Sequence, residues 1–205
     1  MSDELNTRKE AKQGRSKQTV GYLLEATAQV LKRGGRVTTN HIANLAGVSI
    51  GTLYQYFPNK DSLLRRYIEK EMAQIVDEFV QTAEEIRHTE TSLQPVMDQI
   101  VDYFVRVYSD KRNIFQFFFF RKFVMGLEDE VAWAEDQHIK VIEGVLRASK
   151  EVALSDPKRT SYVIVQASLG VMRSTWVRKT SPSEAELGAE LKKLIRGYLA
   201  EGGKC

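Results

Sequence analysis

The sequence predicts an all-α protein of about nine helices. Three observations carry that expectation. Apolar residues recur at helical spacing along most of the chain, no segment alternates as a half-buried strand does, and only four prolines interrupt 205 residues.

Residues 1–15 read as a disordered arm with basic side chains. From Lys17 the pattern turns helical, with Val20, Leu23, Leu24, Thr27, Val30 and Leu31 on one face, and Gly34-Gly35 ends it. Thr38-Thr39 offers hydroxyl caps to a short helix through Leu45. Ala46-Gly47-Val48-Ser49 is a tight turn in which Gly47 supplies positive φ and Ser49 caps a second short helix, Ile50 to Tyr56. Pro58-Asn59 breaks that helix, and Asp61 is placed to cap the next. There Leu64, Ile68, Met72, Ile75, Phe79, Ala83 and Ile86 form a sustained apolar seam. Further helices are expected over 93–109, 113–126, 128–150, 158–179 and 183–200, the last opening on a capping box of Ser183 and Glu186.

Composition narrows the functional class. Hydrophobic residues make up 42% and charged residues 28%, as in a soluble globular protein. No apolar run approaches the ~18 residues of a membrane span, and the polar first 17 residues lack a secretory core. Cys205 is the single cysteine, which excludes an internal disulfide. A cytoplasmic protein without a membrane partner is expected. Charge is uneven: residues 1–60 carry nine bases against four acids, while the remainder is slightly acidic. A basic first third suits a polyanionic partner. Three histidines and the lone cysteine give no metal-ligand spacing and no nucleophile–base pair, so neither enzyme activity nor a metal or cofactor is expected.

Two short helices joined by a glycine turn read as a helix-turn-helix, whose second helix enters the major groove of DNA. Thr38, Thr39, Ser49, Thr52, Tyr54, Tyr56 and Lys60 are all potential phosphate donors. Gln55 reaches for a base edge, and the methyls of Ile50 and Thr52 suit a thymine methyl.

The string Thr38-Thr39, Ile42-Ala43, Ala46-Gly47-Val48-Ser49, Gly51-Thr52-Leu53-Tyr54, Tyr56-Phe57 and Lys60 resembles the TetR family of transcriptional regulators. The likeness covers about residues 17–65. It implies that Thr39 contacts phosphate and that Ser49, Ile50, Gly51 and Tyr54 face the groove. It also implies that Tyr56 and Lys60 hold the DNA backbone, while Ala43, Ala46, Val48, Leu53 and Phe57 pack the module. Tyr56 stands where histidine is frequent in such proteins. The partners implied are palindromic operator DNA, a second copy of the chain and a small-molecule inducer. The domains expected are a DNA-binding domain over 16–60 and a ligand-binding and dimerisation domain over 61–205.

Beyond the motif the sequence is less explicit. Ile114 to Phe120 is apolar nearly all round, so this helix is expected to be buried on most sides, as cavity wall or as plain core. Phe104, Tyr108, Phe118, Trp133, His138 and Trp176 are candidates to line an inducer cavity, with Arg121 or Arg173 supplying charge. Small residues Val163, Ala167, Gly170, Val171 and Ser174, and the seam Leu187, Leu191, Leu194 and Tyr198, are candidates for a dimer interface. The expected function is a repressor released by an apolar or aromatic ligand. The alternative is a non-inducible DNA-binding protein of the same fold, acting structurally or through a protein partner; a filled core would favour it.

Overall fold

A computed structural model describes residues 14–34, 36–90, 92–178 and 180–202, and among these it holds nine helices and no strand. The arm expected over residues 1–15 lies outside the described residues up to position 13, and Gly14 opens α1. The helices are α1 (Gly14–Lys32), α2 (Thr39–Leu45), α3 (Ile50–Tyr56), α4 (Lys60–Thr89) and α5 (Leu93–Asp110). They continue as α6 (Arg112–Met125), α7 (Glu128–Ala148), α8 (Pro157–Val177) and α9 (Glu184–Gly202).

The sequence signals act at the helix ends. Gly34 has φ +67° and its N–H donates to the Leu31 carbonyl, closing α1. Thr38 Oγ1 accepts from the His41 N–H and Ser49 Oγ from the Thr52 N–H, so α2 and α3 each start on a hydroxyl cap. Gly47, at φ +67°, makes the turn between them. At α4 the cap is Asn59, not Asp61. Its Oδ1 accepts from the Ser62 N–H at 2.8 Å, because α4 begins at Lys60, two residues earlier than a cap at Asp61 implies. Asp156 caps α8 ahead of Pro157. Ser183 and Glu186 exchange the bonds of a capping box, which hold the Glu186 carboxyl below its usual range.

Two compact units result. The first gathers the described residues to Met72 together with Asn113–Glu128, and the second gathers Ala73–Arg112 and the residues from Asp129 on. The division differs from one at residue 60, since the start of α4 and nearly all of α6 join the helix-turn-helix. Specific bonds explain this. Arg65 donates to the carbonyls of Met125 and Gly126 at the end of α6, and Asn113 Nδ2 donates to the Lys32 carbonyl at the end of α1. Ile114, Phe115 and Phe118 of α6 are buried. Yet α6 is not enclosed as its composition suggested, because Phe120 is 56% exposed.

In the first unit Leu23, Ile42, Leu53, Phe57, Leu64 and Ile68 form the core. In the second, α4 contributes Ile75, Phe79, Ala83 and Ile86, so every residue of the predicted α4 seam is buried. Against α5, α9 turns Leu191, Ile195 and Leu199 inward, flanked by ion pairs of Lys192 with Asp102 and Arg196 with Asp98.

Candidate nucleic-acid interface and ring-lined core

Burial within α3 sorts its seven residues by role. Leu53 and Tyr56 face the core, while Ile50, Gly51, Tyr54 and Gln55 are exposed. Two of these, Ile50 and Tyr54, are large apolar or aromatic side chains left in water on one side of a short helix, an arrangement that folding alone does not reward. Thr39 Oγ1 and the Tyr54 hydroxyl lie 3.2 Å apart, so the start of α2 and the outer face of α3 present adjoining donors. Thr52 and Ser49 are linked at 2.9 Å between their hydroxyls. Thr38 is half-buried beneath its capping bond, and Lys60 opens α4 on the same unit. Tyr56 differs from the others: at 9% exposure its ring packs in the core. A bulky ring in that position reinforces the module.

A family model described as bacterial regulatory proteins of the tetR family matches residues 23–67. A second, described as a tetracyclin repressor-like C-terminal domain, matches residues 92–199, more than half of the chain. The chain belongs to the TetR family. It is therefore a DNA-binding transcriptional regulator carrying a helix-turn-helix. Among curated relatives of this TetR-family chain, the nucleoid occlusion factor SlmA of Glaesserella parasuis is 28% identical over 68 residues, which span 33% of each protein. Solved structures match over nearly the whole length. A putative TetR-family regulator from Mesorhizobium loti aligns with TM-score 0.75 at 15% identity, covering 93% of this chain and all of that one. The regulator FadR of Bacillus subtilis, in complex with stearoyl-CoA, gives 0.65 at 16% identity, over 85% of this chain and 96% of that one. The Thermus thermophilus FadR, in complex with lauroyl-CoA, gives 0.63 at 14% identity, over 86% and 93%. At such identities the likeness is one of fold.

The core of the second unit holds a cluster of rings. Phe104 and Tyr108 have centroids 4.4 Å apart, Tyr108 stacks on Trp176 at 6.3 Å, and His138 lies 4.4 Å from Phe79. Of the eight residues singled out for a ligand cavity, Phe104, Tyr108, His138, Arg173 and Trp176 are gathered in this unit. Phe118 and Arg121 belong instead to the first unit, and Trp133 is 46% exposed on α7. Sequence reading missed Phe79, which it treated as seam, and Glu135. The Glu135 carboxylate accepts from Arg173 and, at 2.7 Å, from Gln166. Nothing in sequence separated that glutamate from its solvated neighbours. Between the rings and α7–α9 lies an apolar void of about 30 Å³, touched by Phe79, Met97, Ile100, Phe104 and Ile164. On the outside, α5 and α9 frame an open groove of about 960 Å³ with Arg106, Lys192, Lys193 and Arg196 along it.

Burial shifts two groups here. The Tyr108 hydroxyl is pushed up by desolvation, which outweighs the opposing pull of Arg173. His138 is pushed down from its ordinary value of 6.5, chiefly by desolvation, against the raising effects of the Ala134 carbonyl and Glu135. Its Nδ1 lies 2.7 Å from the Ala134 carbonyl, which fixes the neutral tautomer with the proton on Nδ1. A depressed folded-state value means that the unfolded chain takes the proton first. His138 therefore supports the fold fully above the unfolded value, and that support is lost as pH falls below it. Urea titrations at about pH 7.5 and about pH 5.5 should show a loss of stability on acidification that shrinks in His138→Phe. An identical loss in both proteins would show that His138 does not carry the effect.

Proposed function

We propose that this TetR-family regulator is a repressor that binds a palindromic operator as a homodimer and leaves it when a small apolar ligand enters the second unit. The observation that carries the DNA reading is the exposed row Ile50, Gly51, Tyr54 and Gln55 on a helix whose other side is core. Tyr54, Thr39, Thr52 and Lys60 then serve as donors to phosphate, with Ser49 at the helix start, and Gln55 and the Ile50 side chain meet base edges. Dimerisation is supported by outward apolar surface on α8 and α9. Val163, Gly170, Leu194 and Tyr198 are exposed, and Ala167, Val171, Ser174 and Leu187 are half-buried. Leu191 is excluded from that row, since at 2% exposure it faces its own core.

For the ligand, the FadR structures suggest a long-chain acyl-CoA as the first compound to test. The apolar ring cluster suits an acyl chain. One observation favours the non-inducible alternative. The void of about 30 Å³ holds about one water, far below the several hundred Å³ of a ligand pocket, so the rings must part to admit a chain. Lauroyl- and stearoyl-CoA titrated with and without operator separate the two readings. Linkage requires an inducer to bind more weakly, by the factor it weakens DNA, when operator is present. Equal affinity in both titrations, or no binding, supports the alternative.

The phosphate role of Lys60 is tested by salt. Log affinity should fall with log salt at a slope of about −0.9 per phosphate neutralised, and Lys60→Ala should make it shallower by about one such unit. An unchanged slope removes Lys60 from the contacts.

A further inference from the structure

The first unit contains a concavity of about 570 Å³, apart from the ring-lined core, whose lining shares only Lys60 with the DNA reading. It is walled by the end of α1, the segment leading to α2, the start of α4 and one side of α6. Its floor is apolar, with Leu31 and Leu64 buried. Its walls carry the rings of Phe117 and Phe120 and the cations Arg36, Lys60 and Arg121. No carboxylate stands among the described lining residues; Asp61 approaches Arg121 from one side at 4.0 Å. The Arg121 guanidinium already lies over the Phe117 ring, 5.1 Å from its centroid. Asn113 ties the wall together by donating to the Lys32 carbonyl.

Three positive charges around an apolar floor, with one ring 56% exposed, are poorly explained as packing. Like charges repel one another, and an uncovered phenylalanine gains nothing from water. Both features are relieved by one kind of occupant. We propose that this concavity binds a small amphiphilic anion, with a planar or apolar body on Phe117 and Phe120 and a carboxylate, sulfonate or phosphate head among Arg36, Lys60 and Arg121. Guanidinium groups suit such heads because their paired N–H donors match two oxygens. The site lies wholly within the unit that carries the helix-turn-helix, so an occupant bridges α6 to the start of α4 and to the segment before Thr38 without involving the ring-lined core.

The probe is 8-anilinonaphthalene-1-sulfonate, a naphthalene anion that fluoresces when shielded from water, titrated into the full-length protein. Phe120→Ser and Arg121→Gln are the variants. Phe120 is exposed, and Arg121 makes a long, half-exposed ion pair beside its contact with the Phe117 ring, so neither change should unfold the protein, and circular dichroism melting checks this. The expected result is saturable binding at one site per chain that weakens at least about tenfold in each variant. The uncharged analogue N-phenyl-1-naphthylamine should bind the unaltered protein at least about tenfold more weakly than the sulfonate. Absence of saturable binding, or equal affinity in the unaltered protein and the variants, would overturn the site. Equal affinity for the charged and uncharged probes would overturn its anionic class.

Discussion

Leu194→Asp is expected to give a folded monomer that has lost its operator, whereas Leu191→Asp is expected to unfold the protein. The two leucines are three residues apart on α9 and look equivalent in sequence. In the structure Leu194 is 54% exposed and Leu191 only 2%. An aspartate at 194 stays in water in the lone protomer, so its cost falls on the proposed interface, where it would be desolvated without a partner. An aspartate at 191 is buried in the second unit's own core, a change of the class that costs about 4 kcal/mol or more. Loss of the dimer unlinks the two half-site contacts, so operator affinity should fall by about a hundredfold or more. Sedimentation and urea unfolding on both variants read this directly. A dimeric Leu194→Asp protein with full DNA affinity would place the interface elsewhere.

Gly51→Leu should act in opposite directions on fold and function. Gly51 is exposed on α3, and a Cβ built there would meet only Ser49 Oγ, at an ordinary 3.6 Å. The free protein therefore has room for the side chain. Replacing a helical glycine should leave stability unchanged or raise it by up to about 1 kcal/mol. On DNA the same surface approaches the major groove, and four added carbons must displace α3 from the base edges. Operator affinity should fall by about a hundredfold, equivalent to about 2.8 kcal/mol. A variant that binds operator normally would show that α3 does not approach DNA by this face.

How much was legible depends on the physics of each signal. Caps and turns are local, so Thr38, Gly47, Ser49 and the Ser183–Glu186 box stood in the sequence where the structure has them. The α4 seam was legible because its period alone marks one face, and all seven of its residues are buried. Tertiary partnering was not legible. The Phe-rich α6 read as cavity wall or plain core of a C-terminal domain, but Arg65 and Asn113, distant in sequence, hold it to the helix-turn-helix unit. The seam on α9 misled for a related reason. Leu187, Leu191, Leu194 and Tyr198 repeat at coiled-coil spacing, yet α5 claims the side that includes Leu191. Spacing reports that a stripe exists; which neighbour covers each edge of it is decided by the rest of the fold.

The proposed activity is sequence-specific operator binding by a dimer through the outer face of α3. Its most direct test is selection of bound fragments from a genomic DNA library by the purified protein, in parallel with Gly51→Leu. Enrichment of an inverted repeat with half-sites about one helical turn, roughly 34–36 Å, apart is the predicted result, with the enrichment lost in the variant. Recovery of no common sequence, or of the same sequence by both proteins, would contradict it.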